Sequence, residues 1–354
     1  VSALRILVVD DSLTARKRLV EVLEAAPGFE VVGEAEDGKK AIELCLALKP
    51  DAITMDMMMP VMSGLSATEY IMAYRPTPIL IVSSSNNRGE LFKMYEALAA
   101  GALDVMEKPD GEEADPAWEA RLLGTLKLIA RIKVITHPRG RMASRARERS
   151  AGEAASIAPP GASGVRALFL GASTGGPGAV RDILRGLPGD YPLPIVVVIH
   201  LGKAFSSALA EWLDSESPLR VAFASQGEPL PEPGQGRVLM APPDRHLVLR
   251  GGKLWLENGP EVHSCRPSVD RLFESAAEAL GPRAAGALLT GMGRDGAEGL
   301  LALRRAGALT AAQDEASSVI YGMPREAALL GAADRILPLE AFAPLFMELA
   351  RGAK

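Results

Sequence analysis

The chain has 354 residues, 48% of them hydrophobic, and a net charge of -5, so it can bury more than one core and lacks the electrostatic footprint of a nucleic-acid or anionic-membrane binder. Its two cysteines, Cys45 and Cys265, fall in segments that read as separate domains, which argues against a disulfide framework and predicts two buried small hydrophobes in a reducing compartment. No apolar run approaches the roughly 18 residues of a membrane span, and no long apolar leader with a cleavage site opens the chain, so the expected location is cytoplasmic, with no membrane insertion and with proteins as partners.

From the N-terminus the pattern alternates. Leu4 to Val9 is an apolar run ending in Asp10-Asp11, and Ser12 can cap a helix whose face carries Leu19, Val22, Leu23 and Ala26 before Pro27-Gly28 stops it. Phe29 to Ala35 reads as a strand, Gly38 to Leu48 as a helix, and Ala52 to Met55 as a strand ending at Asp56. Further strands are Ile79 to Val82, ending at Ser83-Ser84, and Asp104 to Met106, ending near Lys108-Pro109. Such alternation predicts a doubly wound parallel sheet, whose ligands bind at the carboxyl ends of the strands.

Asp10, Asp11 and Asp56 would then share one sheet edge. Three carboxylates repel one another unless a hard divalent cation with oxygen ligands neutralises them, and Mg²⁺ fits. Lys108 adds a positive charge there, and the Ser83 hydroxyl can hydrogen-bond a phosphoryl group on Asp56. Taken singly, these residues could be caps, a solvated lysine and a strand end. The five together on one edge favour a site.

On Asp10-Asp11, the run Asp56-Met57-Met58-Met59-Pro60-Val61-Met62-Ser63-Gly64, Ser83-Ser84 and Lys108-Pro109, residues 3 to 125 resemble response-regulator receivers. That resemblance implies Asp56 as phosphoacceptor, Asp10, Asp11, Asp56 and the Met58 carbonyl as Mg²⁺ ligands, and a histidine kinase of a chemosensory system as phosphodonor. Val105 stands where the family often has a switching aromatic.

A helix capped by Asp115, with Pro116 first and Leu122, Leu126 and Ile129 on one face, leads out of this domain. From His137 to about Gly164 apolar periodicity disappears, leaving Arg139, Arg141, Arg145, Arg147 and Arg149 among small residues, then Ala158-Pro159-Pro160-Gly161. This reads as a flexible linker with a basic first half, either a solvated tether or a docking segment for an acidic partner. The expected domains are 1–125, a 126–164 linker and 165–354.

In the second half, Ala167 to Leu170 runs as a strand into Gly171-Ala172-Ser173-Thr174-Gly175-Gly176-Pro177 and a helix that can start at Pro177. Ser173 sits at the tip of that turn, either a nucleophile or simply part of a tight turn. Ile195 to Ile199 is a β-branched run ending at His200, of the kind buried on both faces of a parallel sheet. Helix Ser206 to Ser215 and strand Val221 to Ala224 follow. The texture then changes with Arg237 to Ala241, His246 to Arg250 and Lys253 to Glu257, the last two joined by Gly251-Gly252, a hairpin signal that predicts an antiparallel insertion.

Helix Ser268 to Leu280 and strand Ala285 to Leu289 restore the rhythm, and the strand runs into a loop carrying Asp295. Helix Ala297 to Ala306, strand Leu309 to Ala312, helix Met323 to Leu330, the short strand Ile336-Leu337 and a closing helix to about Ala350 complete the chain. Ser173, His200 and Asp295 each follow a predicted parallel strand, so a triad is geometrically feasible. The order Ser, His, Asp differs from the α/β-hydrolases, and an alternative base would have to be His246 or His263. His263 and Cys265 lack neighbouring ligands for a metal site and read as a loop shaping the cleft.

This half resembles the catalytic domain of the CheB family of chemotaxis protein-glutamate methylesterases. The carriers are the Ser173 turn, His200, Ala241-Pro242-Pro243-Asp244-Arg245-His246, Arg266-Pro267-Ser268-Val269-Asp270-Arg271-Leu272-Phe273, Leu289-Thr290-Gly291-Met292-Gly293-Arg294-Asp295-Gly296 and Gly322-Met323-Pro324-Arg325-Glu326. The resemblance implies a Ser173, His200, Asp295 triad and an oxyanion hole of the Thr174 and Met292 main-chain amides. It further implies hydrolysis of glutamate γ-methyl esters on chemoreceptor cytoplasmic helices, with deamidation of receptor glutamines alongside and no cofactor for the esterase step. The receiver would cover the Ser173 cleft until Asp56 is phosphorylated. Leu201-Gly202 replaces the family's usual Met-Pro after the histidine. Rival readings are a phosphorylation-gated binding protein without activity, a nucleotide-binding sheet and a DNA-binding output domain. The second is disfavoured because Ser173 occupies a glycine position of the dinucleotide fingerprint, the third because no short helix-turn-helix module follows the linker.

Overall fold

In the computed structural model, residues 3–84, 88–109, 115–132, 134, 164–201 and 203–351 are described. The chain divides into two compact units, Val1–Glu153 and Ala154–Lys354. The linker arginines and Gly202 lie outside the described residues.

The first unit orders its strands β2-β1-β3-β4-β5, with β1 Leu4–Val9, β2 Phe29–Ala35, β3 Ala52–Met55, β4 Ile79–Ser83 and β5 Asp104–Glu107, all parallel. The helices are α1 Leu13–Ala25, α2 Gly38–Leu48, α3 Gly64–Tyr74, α4 Arg88–Ala100 and α5 Pro116–Ile129. Their starts follow local chemistry. Ser12, Asp37, Ser63 and Asp115 cap α1, α2, α3 and α5 by accepting main-chain N–H groups, and Pro116 preorganises the first turn of α5. The buried stripe of α5, Trp118, Leu122, Leu126 and Ile129, includes the three apolar positions read from its periodicity.

The second unit contains a seven-stranded sheet ordered β15-β14-β13-β6-β7-β10-β8. Its strands are β6 Ala167–Ala172, β7 Ile195–Ile199, β8 Arg220–Phe223, β10 Arg237–Met240, β13 Ala284–Leu288, β14 Leu309–Gln313 and β15 Arg335–Leu337, and every pairing is parallel. β10 therefore does not belong to the antiparallel texture expected for it; it slots between β7 and β8. The antiparallel part is a separate three-stranded sheet of β11 His246–Arg250, β12 Lys253–Glu257 and β9 Glu228–Pro229.

The helices here are α6 Gly176–Arg185, α7 Lys203–Ser206, α8 Leu209–Glu216, α9 Val269–Leu280, α10 Ala297–Arg305, α11 Met323–Leu329 and α12 Phe342–Arg351. The single helix expected over 206–215 is thus two short ones, interrupted at Ser207-Ala208. The core under β6, β7 and β13 holds Phe169, Val196, Val198, Leu272, Phe273, Leu300 and Leu303.

Phe273 is fully buried on α9 and, with Phe169, is the largest side chain of that group. Phe273→Ala should destabilise this unit by about 3–5 kcal/mol, through lost apolar burial and the cavity left behind. Denaturant unfolding followed by fluorescence checks it, and an unchanged midpoint would show that the helix repacks.

Candidate active site and phosphoacceptor site

In the first unit, β1 and β3 deliver Asp10 and Asp56 to the point where strand order reverses, the crevice in which such sheets bind ligands. Both are buried. Lys108, just past β5, places Nζ 2.8 Å from Asp10 Oδ2 and 3.1 Å from Asp56 Oδ2. Ser83 Oγ donates to Asp56 Oδ1 at 3.0 Å, and the Met57 N–H donates to the same oxygen at 2.8 Å. Burial pushes the Asp10 carboxyl up, and the neighbouring Lys108 offsets only part of this. The Lys108 ammonium is destabilised by burial, but the two carboxylates outweigh that and raise it.

The donor set fits a hard divalent cation. One ligand oxygen from each of Asp10, Asp11 and Asp56 lies within 4.8 Å of the others. Despite its ion pair with Lys108, Asp10 Oδ2 is a buried oxygen that receives no properly directed hydrogen bond. A cation would satisfy it.

In the second unit, three adjacent strands, β13, β6 and β7, bring the three candidate residues to one sheet edge. Main-chain bonds lock their ends together. The His200 N–H donates to the Ala172 carbonyl at 3.0 Å, and the Ser173 N–H donates to the Thr290 carbonyl at 3.0 Å. Gly175 takes φ +78, a left-handed turn that leads from Ser173 into α6. The loop after β13 comes so close that a Cβ on Gly291 would stand 2.7 Å from Ser173 Cβ.

Asp295 is 2% exposed and fully engaged. His200 Nε2 lies 2.8 Å from its Oδ2, which also accepts the Val269 N–H at 2.7 Å. Its Oδ1 accepts the Ser268 hydroxyl at 2.7 Å and the Asp270 N–H at 3.2 Å. The carboxylate thus sits at the N-terminus of α9, where main-chain N–H groups and the helix dipole favour negative charge. Burial works to raise its pKa, but His200 and these donors prevail and lower it. For His200, burial works downward, yet the bond and charge of Asp295 and the contact with Cys265 carry it up to about 9.

Ser173 Oγ makes no hydrogen bond among the described residues, so the serine and the imidazole are brought to one edge without being joined. The main-chain N–H groups of Thr174 and Met292 likewise donate to no group among the described residues. Both are available to a ligand.

The other histidines are committed elsewhere. His246 is buried, with Nε2 2.9 Å from the Pro260 carbonyl and Nδ1 accepting the Ser268 N–H at 3.2 Å. His263 Nδ1 accepts from Arg294 Nε at 3.1 Å, and its Nε2 lies 3.2 Å from Asp270 Oδ2. Burial first, then the charge of Asp295, pushes the Asp270 carboxyl up to about 7.

Two residues that touch the His200–Asp295 pair were not singled out for that contact in the sequence reading. Ser268 caps α9 through its hydroxyl oxygen and gives its hydroxyl proton to Asp295. Its signal was a serine immediately before an apolar helix, legible as a cap but not as a support for a residue 27 positions away. Cys265 is not the buried hydrophobe expected. It is partly exposed, with Sγ 3.6 Å from His200 Nδ1. Cys45 is fully buried, as anticipated.

Residues 168–346 match the family model for the CheB methylesterase, and residues 6–114 match that of the response regulator receiver domain. The chain is 47% identical over 349 residues, 98% of its length and 97% of the relative's, to a protein-glutamate methylesterase/protein-glutamine glutaminase of Anaeromyxobacter dehalogenans. A protein of the same name from Myxococcus xanthus is 44% identical, over 91% of this chain and 90% of that one. The crystal structure of the Thermotoga maritima CheB methylesterase catalytic domain matches with a TM-score of 0.50 and 37% identity, covering 53% of this chain and 99% of that one. Similarity of this extent, over both units and in the same order, makes the chain a member of the protein-glutamate methylesterase/protein-glutamine glutaminase family, with an N-terminal receiver domain and a C-terminal CheB methylesterase domain.

Proposed function

We propose that the chain is a serine esterase that removes γ-methyl groups from glutamates on chemoreceptor cytoplasmic helices, releasing methanol, and that it also deamidates receptor glutamines. The observation that carries this reading is the His200–Asp295 pair standing beside the Ser173 turn on adjacent strand ends. Ser173 Oγ attacks the ester carbonyl while His200 takes its proton. Since Nε2 faces Asp295, Nδ1 is the nitrogen left for that work. The Thr174 and Met292 amides receive the oxyanion. His200 then returns the proton to the departing methoxide, and water cleaves the acyl-serine by the same path in reverse. Side chains and main-chain amides suffice for this step.

In the receiver, Asp56 accepts a phosphoryl group from a chemosensory histidine kinase. Asp10, Asp11, Asp56 and the Met58 carbonyl would hold Mg²⁺, which supplies charge neutralisation for phosphoryl transfer. Lys108 and Ser83, already against Asp56, would sense the added phosphoryl oxygens and so set the esterase rate. The proposed organisation is a receiver over 1–125, a linker over 126–164 and the esterase over 165–354, acting in the cytoplasm. Among the described residues no helix is long and apolar enough to cross a membrane.

Methanol release from methylated receptor should fall on the order of 10⁶-fold in Ser173→Ala. Persistence of the wild-type rate would assign the chemistry elsewhere. Because the base must be neutral, kcat/KM should rise with pH through a limb near 9 and be lost as pH falls below it. Asp295→Asn removes the charge that stabilises the imidazolium. Its limb should move to lower pH while kcat drops about 10⁴-fold; a limb that stays in place would separate Asp295 from His200. A small-molecule phosphodonor with Mg²⁺ should change the wild-type esterase rate and leave Asp56→Asn unaffected, and equal responses would remove the switch while sparing the esterase.

A further inference from the structure

His200 is held on both sides, and only one of its partners belongs to the triad. Opposite Asp295, its Nδ1 faces Cys265 Sγ at 3.6 Å, and the same sulfur lies 3.4 Å from the His263 carbonyl, to which it can donate. The thiol proton therefore has two acceptors within reach, one of them the base nitrogen itself.

The segment that presents Cys265 is built for this placement. Val262 and Cys265 exchange both main-chain hydrogen bonds, at 3.1 and 2.8 Å, and close a two-residue turn. His263 and Ser264 take φ 51 and 60 at its centre, a left-handed pair that glycine or asparagine would adopt with less strain. Surroundings hold the turn in that shape. Arg294 Nε donates to His263 Nδ1, and Arg266 beyond the turn is bound to Asp244 and to the Gly259 carbonyl. Strain retained at a turn beside reacting groups marks a position that the surroundings over-determine.

We propose that Cys265 is a positioning residue for His200, its thiol holding the imidazole in the orientation that gives Nε2–H to Asp295 and reserves Nδ1 for the proton of Ser173. The inference rests on the triad reading above. With the imidazole neutral, the thiol donates to Nδ1 and fixes the ring plane. When the serine hydroxyl takes that place, the thiol proton turns to the His263 carbonyl, so the base is released without leaving the thiol donor unmet. Once His200 is protonated, Nδ1–H faces the sulfur, a weak acceptor that steadies the cation. The contact exchanges hydrogen bonds only; no covalent bond to sulfur forms.

The test uses the full chain carrying Cys265→Ala or Cys265→Ser, with melting temperature, kcat and KM on methylated receptor across pH, and the rate at which Ser173 reacts with a fluorophosphonate. Cys265→Ala should lower kcat and the fluorophosphonate rate by about 10- to 100-fold through loss of ring alignment, with KM changed by less than about twofold. It should also move the ascending limb near 9 to lower pH, since a group that stabilises the imidazolium has gone. Cys265→Ser keeps a hydroxyl with shorter reach and should recover part of both effects. Wild-type kcat and limb in Cys265→Ala would overturn the proposal, as would a loss of rate that leaves the limb in place or that follows the melting temperature and is not relieved by serine. His200→Gln separates this from the triad reading. If it is inactive while Cys265→Ala behaves as wild type, only the role of Cys265 falls; if it is active, the triad itself does.

Discussion

A carboxylate almost out of reach of water has to be met by donors or lose its charge, and the second unit is arranged around that requirement at Asp295. Its four donors come from β7's end, from the residue before α9 and from the first two residues of α9 itself. The sheet, the helix and the imidazole are thereby referred to one pair of oxygens. A neutral residue would leave the main-chain N–H groups of Val269 and Asp270 less well met, so the charge serves the fold as well as the imidazole. Supporting groups of this kind locate a reacting group more sharply than its own rotamer can.

The receiver meets the same constraint with a different remedy. Asp10 and Asp56 are also buried, but each carboxylate accepts only one main-chain N–H, from Ser12 at the start of α1 and from Met57. Lys108 stands between them, and one Asp10 oxygen is left without a directed donor. The first arrangement is saturated and holds its shape. The second is deficient in positive charge, as a site must be if an ion and a phosphoryl group are to enter it. Rigidity in one unit and responsiveness in the other follow from how completely each carboxylate is satisfied.

Much of this was legible in the residues. β1, β2, β3, β7, β11 and β12 run over the spans read from sequence, because each is an apolar or alternating stretch bounded by Asp, Gly, Pro or His. The caps Ser12 and Asp115 were visible because capping is a local bond. What was not legible depends on neighbours far along the chain. Nothing within Arg237–Met240 says that its partners are Ile195 to Val197 on one side and Arg220 to Phe223 on the other, so its parallel pairing was missed. β9, two residues ending in proline, has no pattern to read. Cys265 reads as a small hydrophobe in isolation, and only the fold sets it against a histidine 65 residues away. Among the candidate residues, the placement of those at strand ends was foreseen by topology. Those that act by contact across loops were not.

The position of β10 carries a consequence for how the chain reaches this state. β7 and β8 emerge in order and are both short, parallel-capable strands, yet in the finished sheet they never touch, because a later segment lies between them. Until residues 237–240 arrive, the two exposed edges are the natural partners of each other. Non-local parallel pairings are slow to form for entropic reasons, and an inserted strand adds a trap that must be escaped. The β7 edge that leads to His200 is therefore completed by a segment that follows both β7 and β8 in the chain.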